Sequence, residues 1–303
     1  MAHTHHHHEH HHHSSRGKLI SVIILNLIIT ASEFIGGTVS GSLSLISDAW
    51  HNLSDVVSLV LGYAGEKISA RHPSKRYTFG LKRFEVFVAL INALALVAIG
   101  IYIIYEAIDR TRNPVPIDFK IMLPVALIGL SGNIFSLIVL LKNRKDNINM
   151  RAAFLHLFYD AVSSVAVLGA AVILFFTGII WADLAVSVII AVMIFWSSLD
   201  IIKQSLKIFL QGVPDSIDPD EVYREILSVE GTTSLHGLHI WSVNSTEIFL
   251  SCHVCSDESV QPDSGLLIRQ INSLLEKKFG ITHTTIQIET TLLCKTGGGE
   301  CCR

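Results

Sequence analysis

Charged side chains are scarce in this sequence. Of 303 residues only 16% are Asp, Glu, Lys or Arg, 50% are hydrophobic, and the mean hydropathy is +0.49. That balance excludes an ordinary water-soluble chain and leaves a membrane protein with a modest soluble part. Cysteine is missing from the first 251 residues, and Cys252, Cys255, Cys294, Cys301 and Cys302 all fall in the last 52. For a cytoplasmic segment, free thiols or metal ligands are then expected rather than disulfides. No Gly-x-x-x-x-Gly-Lys loop is present, which removes ATP coupling and a nucleotide cofactor. No His-Glu-x-x-His motif lies in an apolar stretch, since His8 to His12 belong to the polar histidine run, which removes a zinc protease of the membrane. A cleavable signal peptide is not apparent, since the chain opens on histidines and the apolar run from Leu19 is long enough to span. The net charge of −3 says little about partners, because the charges sit in loops and in the last third, and no nucleic-acid partner is expected.

What the chain does contain is long apolar stretches. Six of them, near 19–39, 43–67, 84–106, 119–141, 152–176 and 180–202, have about the 20 residues that a bilayer core of roughly 30 Å requires. The loops alternate in charge. Arg16 and Lys18, then Arg71 to Arg83, then Lys142 to Arg151, then Lys203 and Lys207 mark one side, whereas on the other the turns at Gly41 and Gly178 carry no Lys or Arg and one loop carries Arg110, Arg112 and Lys120. The positive-inside rule therefore places both termini in the cytoplasm. Residues 1–17 are a histidine-rich arm with no apolar face to bury, expected to be disordered alone. Residues 18–211 form the membrane part, 212–291 a soluble domain, and 292–303 a cysteine-bearing tail. The basic connection from Arg71 to Arg83 suits contact with membrane lipid.

Within the second stretch, His51 and Asp55 stand four residues apart, so on a helix they share one face. His156 and Asp160 repeat the spacing in the fifth stretch. Ionisable groups at bilayer depth cost roughly 2.5–3.5 kcal/mol on insertion scales and mark ion or proton paths. Two helices carrying one His and one Asp each supply four ligands, the number and mixture that a tetrahedral Zn²⁺ takes. Cd²⁺ and Co²⁺ accept the same donors. Asp48, one turn before His51, is expected to fix the imidazole tautomer. Glu33 should face inward, and Asn133 should hydrogen-bond across helices. His156 lies only a turn into its apolar run, so hydropathy alone does not put the two pairs at one depth. Protons compete with metal for these ligands, because Zn²⁺ needs neutral imidazole and an ordinary His titrates at about 6.5.

From Gly212 the composition shifts. Residues 218–228 read as a helix, 234–242 and 247–255 as strands, 264–279 as a helix ended by Gly280, and 282–291 as a last strand. The order αββαβ fits helices layered on a small sheet. His239, His253, His283 and Glu289 are expected to hold further zinc. Strand alternation makes Cys255 the partner of His253 and sends Cys252 to the other face.

Taken together, the paired His-x-x-x-Asp motifs, the Ser-Asp-Ala-x-His approach at 47–51, the six spans and the endings His239-Ile-Trp and His283-x-Thr-Ile-Gln-Ile-Glu resemble the cation diffusion facilitator family, and in it the bacterial zinc-exporting branch. The resemblance implies a homodimeric exporter of Zn²⁺, Cd²⁺ or Co²⁺ driven by proton antiport, a secondary transporter and not an enzyme. It also implies a metallochaperone-like soluble domain, in which bound zinc serves regulation. The absence of a His-rich loop between spans four and five favours a bacterial inner membrane. The alternative is a membrane-bound metal sensor, or a metal-binding protein that transports nothing.

Overall fold

Where a chain meets lipid it must satisfy its own backbone polar groups, and a helix does so segment by segment. In the computed structural model the six apolar stretches are long helices: α1 His12–Ser40, α2 Leu43–Ser69, α3 Phe84–Arg112, α4 Phe119–Leu141, α5 Ile148–Thr177 and α6 Trp181–Phe209. The described residues are 12–69, 72–141, 148–257 and 263–290. Most of the histidine arm, the linker between α4 and α5, the tail with Cys294, Cys301 and Cys302, and the side chain of His156 lie outside them.

By contacts the chain forms two units. One takes in the chain up to Val60 together with Ile91–Asp200; the other takes in Leu61–Leu90 and everything from Ile201. The first unit is inside-out by soluble standards. Ile35, Phe135, Phe176 and Trp196 are exposed, at up to 76%, while Glu33, Asp48, Asp160 and Asp183 are buried to 1% or less. Apolar surface that wide is tolerated only against lipid or a partner. α3, α4, α5 and α6 are long and apolar enough to cross a membrane, and α1 contributes a shorter apolar helix over Ile24–Ser40. α2 carries Asp48, His51, Asn52 and Asp55. Among the described residues, four of the six expected spans are thus long and apolar enough to cross.

α1 and α4 approach at backbone distance. A Cβ on Gly36 would strike Val125, one on Gly132 would strike Ile29, and one on Gly129 would strike the carboxylate of Glu33. Small residues are the usual means of bringing helices this close in lipid, where apolar burial drives little association.

α2 begins beside a buried carboxylate supplied by α6. Asp183 Oδ1 accepts from Ser42 Oγ at 2.6 Å and from Ser44 Oγ at 2.6 Å, and Ser44 N reaches it at 3.2 Å. Its Oδ2 accepts from Leu43 N at 2.9 Å. A carboxylate at a helix start satisfies donors that the helix cannot and complements its positive end.

The second unit contains the soluble fold: α7 Pro219–Leu227, β1 Thr232–Ser242, β2 Ile248–Ser256, α8 Ser264–Phe279 and β3 His283–Thr290. Their order is the αββαβ read from the sequence. β1 pairs antiparallel with β2, and β2 parallel with β3, so β2 is central. α7 starts with Asp218 accepting from Asp220 N at 3.0 Å, and α8 ends on Gly280 in the left-handed region at φ 68°. Val222, Ile226, Leu267, Ile271 and Leu275 of the helices meet Leu235, Ile240, Leu250, Cys252 and Val254 of the sheet in one core. Lys278 of α8 binds Glu221 at 3.0 Å and Glu225 at 2.8 Å on α7, tying the two helices together.

Removing Asp183 leaves several buried donors at the start of α2 without an acceptor. Asp183→Ala should therefore cost on the order of 3 kcal/mol, while Asp183→Asn, which keeps one acceptor oxygen, should cost less. Thermal unfolding of the detergent-purified protein checks the ranking, and equal losses in the two variants would contradict the capping role.

Candidate metal centres

The i, i+4 spacing on α2 brings His51 Nε2 to 3.9 Å from Asp55 Oδ2. From α5, Asp160 Oδ1 reaches the same nitrogen at 3.5 Å. His51, Asp55 and Asp160 thus present one ligand atom each within 4.8 Å of one another. His156 stands one helical turn before Asp160 on α5. α5 begins at Ile148, about a turn before the expected start at 152, and Asp160 lies level with His51.

The surrounding bonds fix the two helices side by side. Asp48 has different partners from the imidazole expected: Ser163 Oγ donates to its Oδ1 at 2.7 Å and Ser164 Oγ to its Oδ2 at 3.4 Å. The carboxylate therefore fastens α2 to α5 directly beneath the candidate ligands. Asn133 of α4 donates to Ser164 Oγ at 2.8 Å, the cross-helix bond its position suggested. Asn52 Nδ2 donates to Glu33 Oε2 at 2.9 Å, which ties α1 into the same buried polar layer. Polar groups held this way in a low dielectric are costly to leave unmatched and so define one arrangement.

A second cluster lies on the sheet face opposite the helices. β2 and β3 are paired so that Cys255 stands beside Glu289, His253 beside Gln287 and Phe249 beside His283. On the other flank His236 faces His253 and His239 faces Ser251. A register shift between His236 and His239 contains Gly237 at φ 60°, and this bulge keeps both histidines on one face although they stand an odd number of positions apart. His253 Nδ1 lies 2.7 Å from Glu289 Oε1, and His236 Nε2 lies 3.6 Å from Glu289 Oε2. The two rings stack at 5.0 Å. His236, Cys255 and Glu289 present ligand atoms within 4.8 Å of one another.

His236 is one of the soluble histidines that jointly suggested a metal site, but it is outside the expected ligand set. Strict alternation sets it on the opposite face from His239; Gly237, the residue able to take the positive φ of a bulge, was the signal. The expected set is also corrected in extent. His239 sits about 7 Å along the strand from the His236 pairing, and His283 is six residues from Glu289, roughly 20 Å away. His283 instead stacks on Phe249 with ring centres 4.0 Å apart. Cys255 is disulfide-bonded, against the expectation of free thiols, and its partner lies outside the described residues. Its thiolate enters a ligand set only when reduced. Cys252, as alternation required, points into the helix-facing core.

Comparison with known proteins adds the following. Residues 19–210 match the family described as the cation efflux transmembrane domain, and residues 214–291 match the cation efflux protein cytoplasmic domain. A cadmium, cobalt and zinc/H(+)-K(+) antiporter of Bacillus velezensis is 40% identical over 274 residues, covering 87% of each chain. The metal cation efflux system protein CzcD of Cupriavidus metallidurans is 40% identical over 258 residues, covering 85% of this chain and 81% of that one. The solved metal-bound C-terminal domain of the CzcD transporter is 40% identical, covers 24% of this chain and 99% of that one, and superposes with a TM-score of 0.23.

Burial pushes the Cys252 thiol up to about 12. At pH 8 it should be almost wholly protonated and unreactive, because the thiolate is the attacking form. Alkylation of the native protein at pH 8 followed by peptide mapping should leave Cys252 unlabelled until denaturant is added. Native labelling at the rate of a free thiol would mean that the core is open.

Proposed function

We propose, from the premise that the chain belongs to the cation efflux family, that it exports divalent metal cations, zinc foremost and also cadmium and cobalt, in exchange for protons. The observation that carries the reading is the approach of Asp160 on α5 to His51 and Asp55 on α2 within a buried polar layer. His51, Asp55, His156 and Asp160 supply two nitrogens and two carboxylates, a set that suits a four-coordinate ion. Four protein ligands leave no open position on the ion for a reacting water, which favours a secondary transporter over an enzyme. The relatives' names, which include metal efflux and antiport, favour the same reading.

The chemistry of the ligands gives the coupling. Metal binds only the deprotonated forms of imidazole and carboxylate, so a cation arriving from the cytoplasm displaces protons. Facing a more acidic exterior, protons on the imidazoles and carboxylates compete the cation off. The loaded metal holds α2 and α5 together; the protonated, empty site relaxes that constraint. Differential binding to two arrangements is what turns a proton gradient into directed movement. The protein acts as a homodimer in a bacterial inner membrane with both termini in the cytoplasm. His236, His253 and Glu289 form the core of a cytoplasmic metal site that reports zinc concentration to the membrane part.

In proteoliposomes an imposed pH gradient should drive zinc movement, and reversing the gradient should reverse the flux. Flux indifferent to the gradient would discard the coupling. Asp160→Asn and Asp55→Asn should each lower the rate at least ~100-fold, a loss equivalent to roughly 2.7 kcal/mol, while the protein elutes and melts as the parent does. Normal transport by either variant would displace the site.

A further inference from the structure

A feature of the second unit is used by neither metal centre. A cavity of about 520 Å³ opens where the connection from α2 to α3, the start of α3, the end of α6 and the end of β1 meet. Phe79, Phe84, Phe209 and Trp241 line it, with Lys82 and Arg83 among the lining residues. We propose that this cavity seats one anionic phospholipid, its phosphate held by Arg83 and Lys82 and the upper part of an acyl chain lying on the aromatic rings.

Three observations point to that occupant. The first is depth. Phe84 is the first residue of one apolar span and Phe209 the last of another, so the cavity sits at the level where apolar helices give way to the headgroup region. Aromatic side chains with apolar bodies are enriched at that level. The second is charge. From Lys67 to Arg83 the chain has six Lys or Arg and no Asp or Glu. Lys82 is offset by its ion pair with Glu247 and leans on the ring of Phe249 at 5.7 Å. Glu85, the nearest acid after Arg83, accepts from Ser245 at 2.9 Å. Arg83 has no acidic partner among the described residues, so it is the uncompensated cation of the cavity, and its planar fork suits a phosphate.

The third observation is shape. The cavity has the volume of a pocket for a ligand of several dozen heavy atoms, and mixed aromatic walls with one charged end match an amphiphile better than a free ion. Basic pockets between span ends on the cytoplasmic side are known physical seats for anionic headgroups. A lipid bound here touches α3, α6 and the soluble fold at once through residues of a single unit. Phe79 also packs on Phe249 at 5.8 Å, which joins the connection to the sheet. The proposal depends on the spans and does not depend on the transport chemistry.

The test uses the full-length protein in detergent, titrated with phosphatidylglycerol, with phosphatidylcholine of the same acyl chains, and with glycerol phosphate, each read by native mass spectrometry. One phosphatidylglycerol per protomer should be retained, with phosphatidylcholine bound at least ~10-fold more weakly. Arg83→Gln should weaken phosphatidylglycerol at least ~10-fold and Arg83→Lys much less, while zinc transport at saturating lipid distinguishes a folded variant from a collapsed one. Equal binding of the two lipids overturns the proposal, as does unchanged binding by Arg83→Gln. Glycerol phosphate bound as tightly as the lipid would mean a free-phosphate site and also overturns it. So would crosslinking from Phe79→Cys to a second copy that excludes phosphatidylglycerol.

Discussion

Carboxylates in an apolar medium need partners, and most of what is specific about the membrane unit follows from meeting that need. Asp48, Asp160, Asp183 and Glu33 are all buried to 1% or less. Each is matched by donors from another helix or faces a group from one: Asp48 with two serines of α5, Asp183 with the start of α2, Glu33 with Asn52, Asp160 with His51. Apolar contacts in lipid are interchangeable, since a leucine gains little by facing a leucine instead of an acyl chain. Polar matches are not interchangeable, and they select the one packing in which α2 and α5 bring His51 and Asp160 face to face.

Much of this was legible in the sequence because it depends on spacing. His51 with Asp55 and His156 with Asp160 are local pairs on helices, and helical periodicity survives whatever the rest of the fold does. The soluble elements were equally readable. The helix at Ser264–Phe279 coincides with the expected span, and Gly280 ends it as its freedom at positive φ suggested. Long-range partners were not legible. Nothing near Asp48 in sequence announces Ser163 and Ser164, 115 and 116 residues on, and nothing near Ser42 announces Asp183.

The soluble cluster illustrates a subtler limit. Alternation along a strand assigns faces correctly only while register holds, and a single inserted residue inverts every assignment beyond it. The bulge at Gly237 does this between His236 and His239, so that one face collects His236, His239, His253, Cys255, His283 and Glu289. Alternation within β2 alone assigned His253 and Cys255 to one face and Cys252 to the other, as the pairing has them. Which of the histidines meet was decided by distance along the strands, and that depends on pairing that no single strand encodes.

The cap on α2 bears on the order in which the protein is made. The carboxylate that accepts Leu43 N comes from a residue 140 positions later in the chain. A helix emerging early in synthesis must wait for one emerging late, and contacts of such separation form late. The helix that carries His51 and Asp55 therefore enters the membrane with its first turn unfinished, and it is fastened only when the sixth helix arrives. The start of the helix that carries His51 and Asp55 is in this way secured only when the last of the membrane helices has been made.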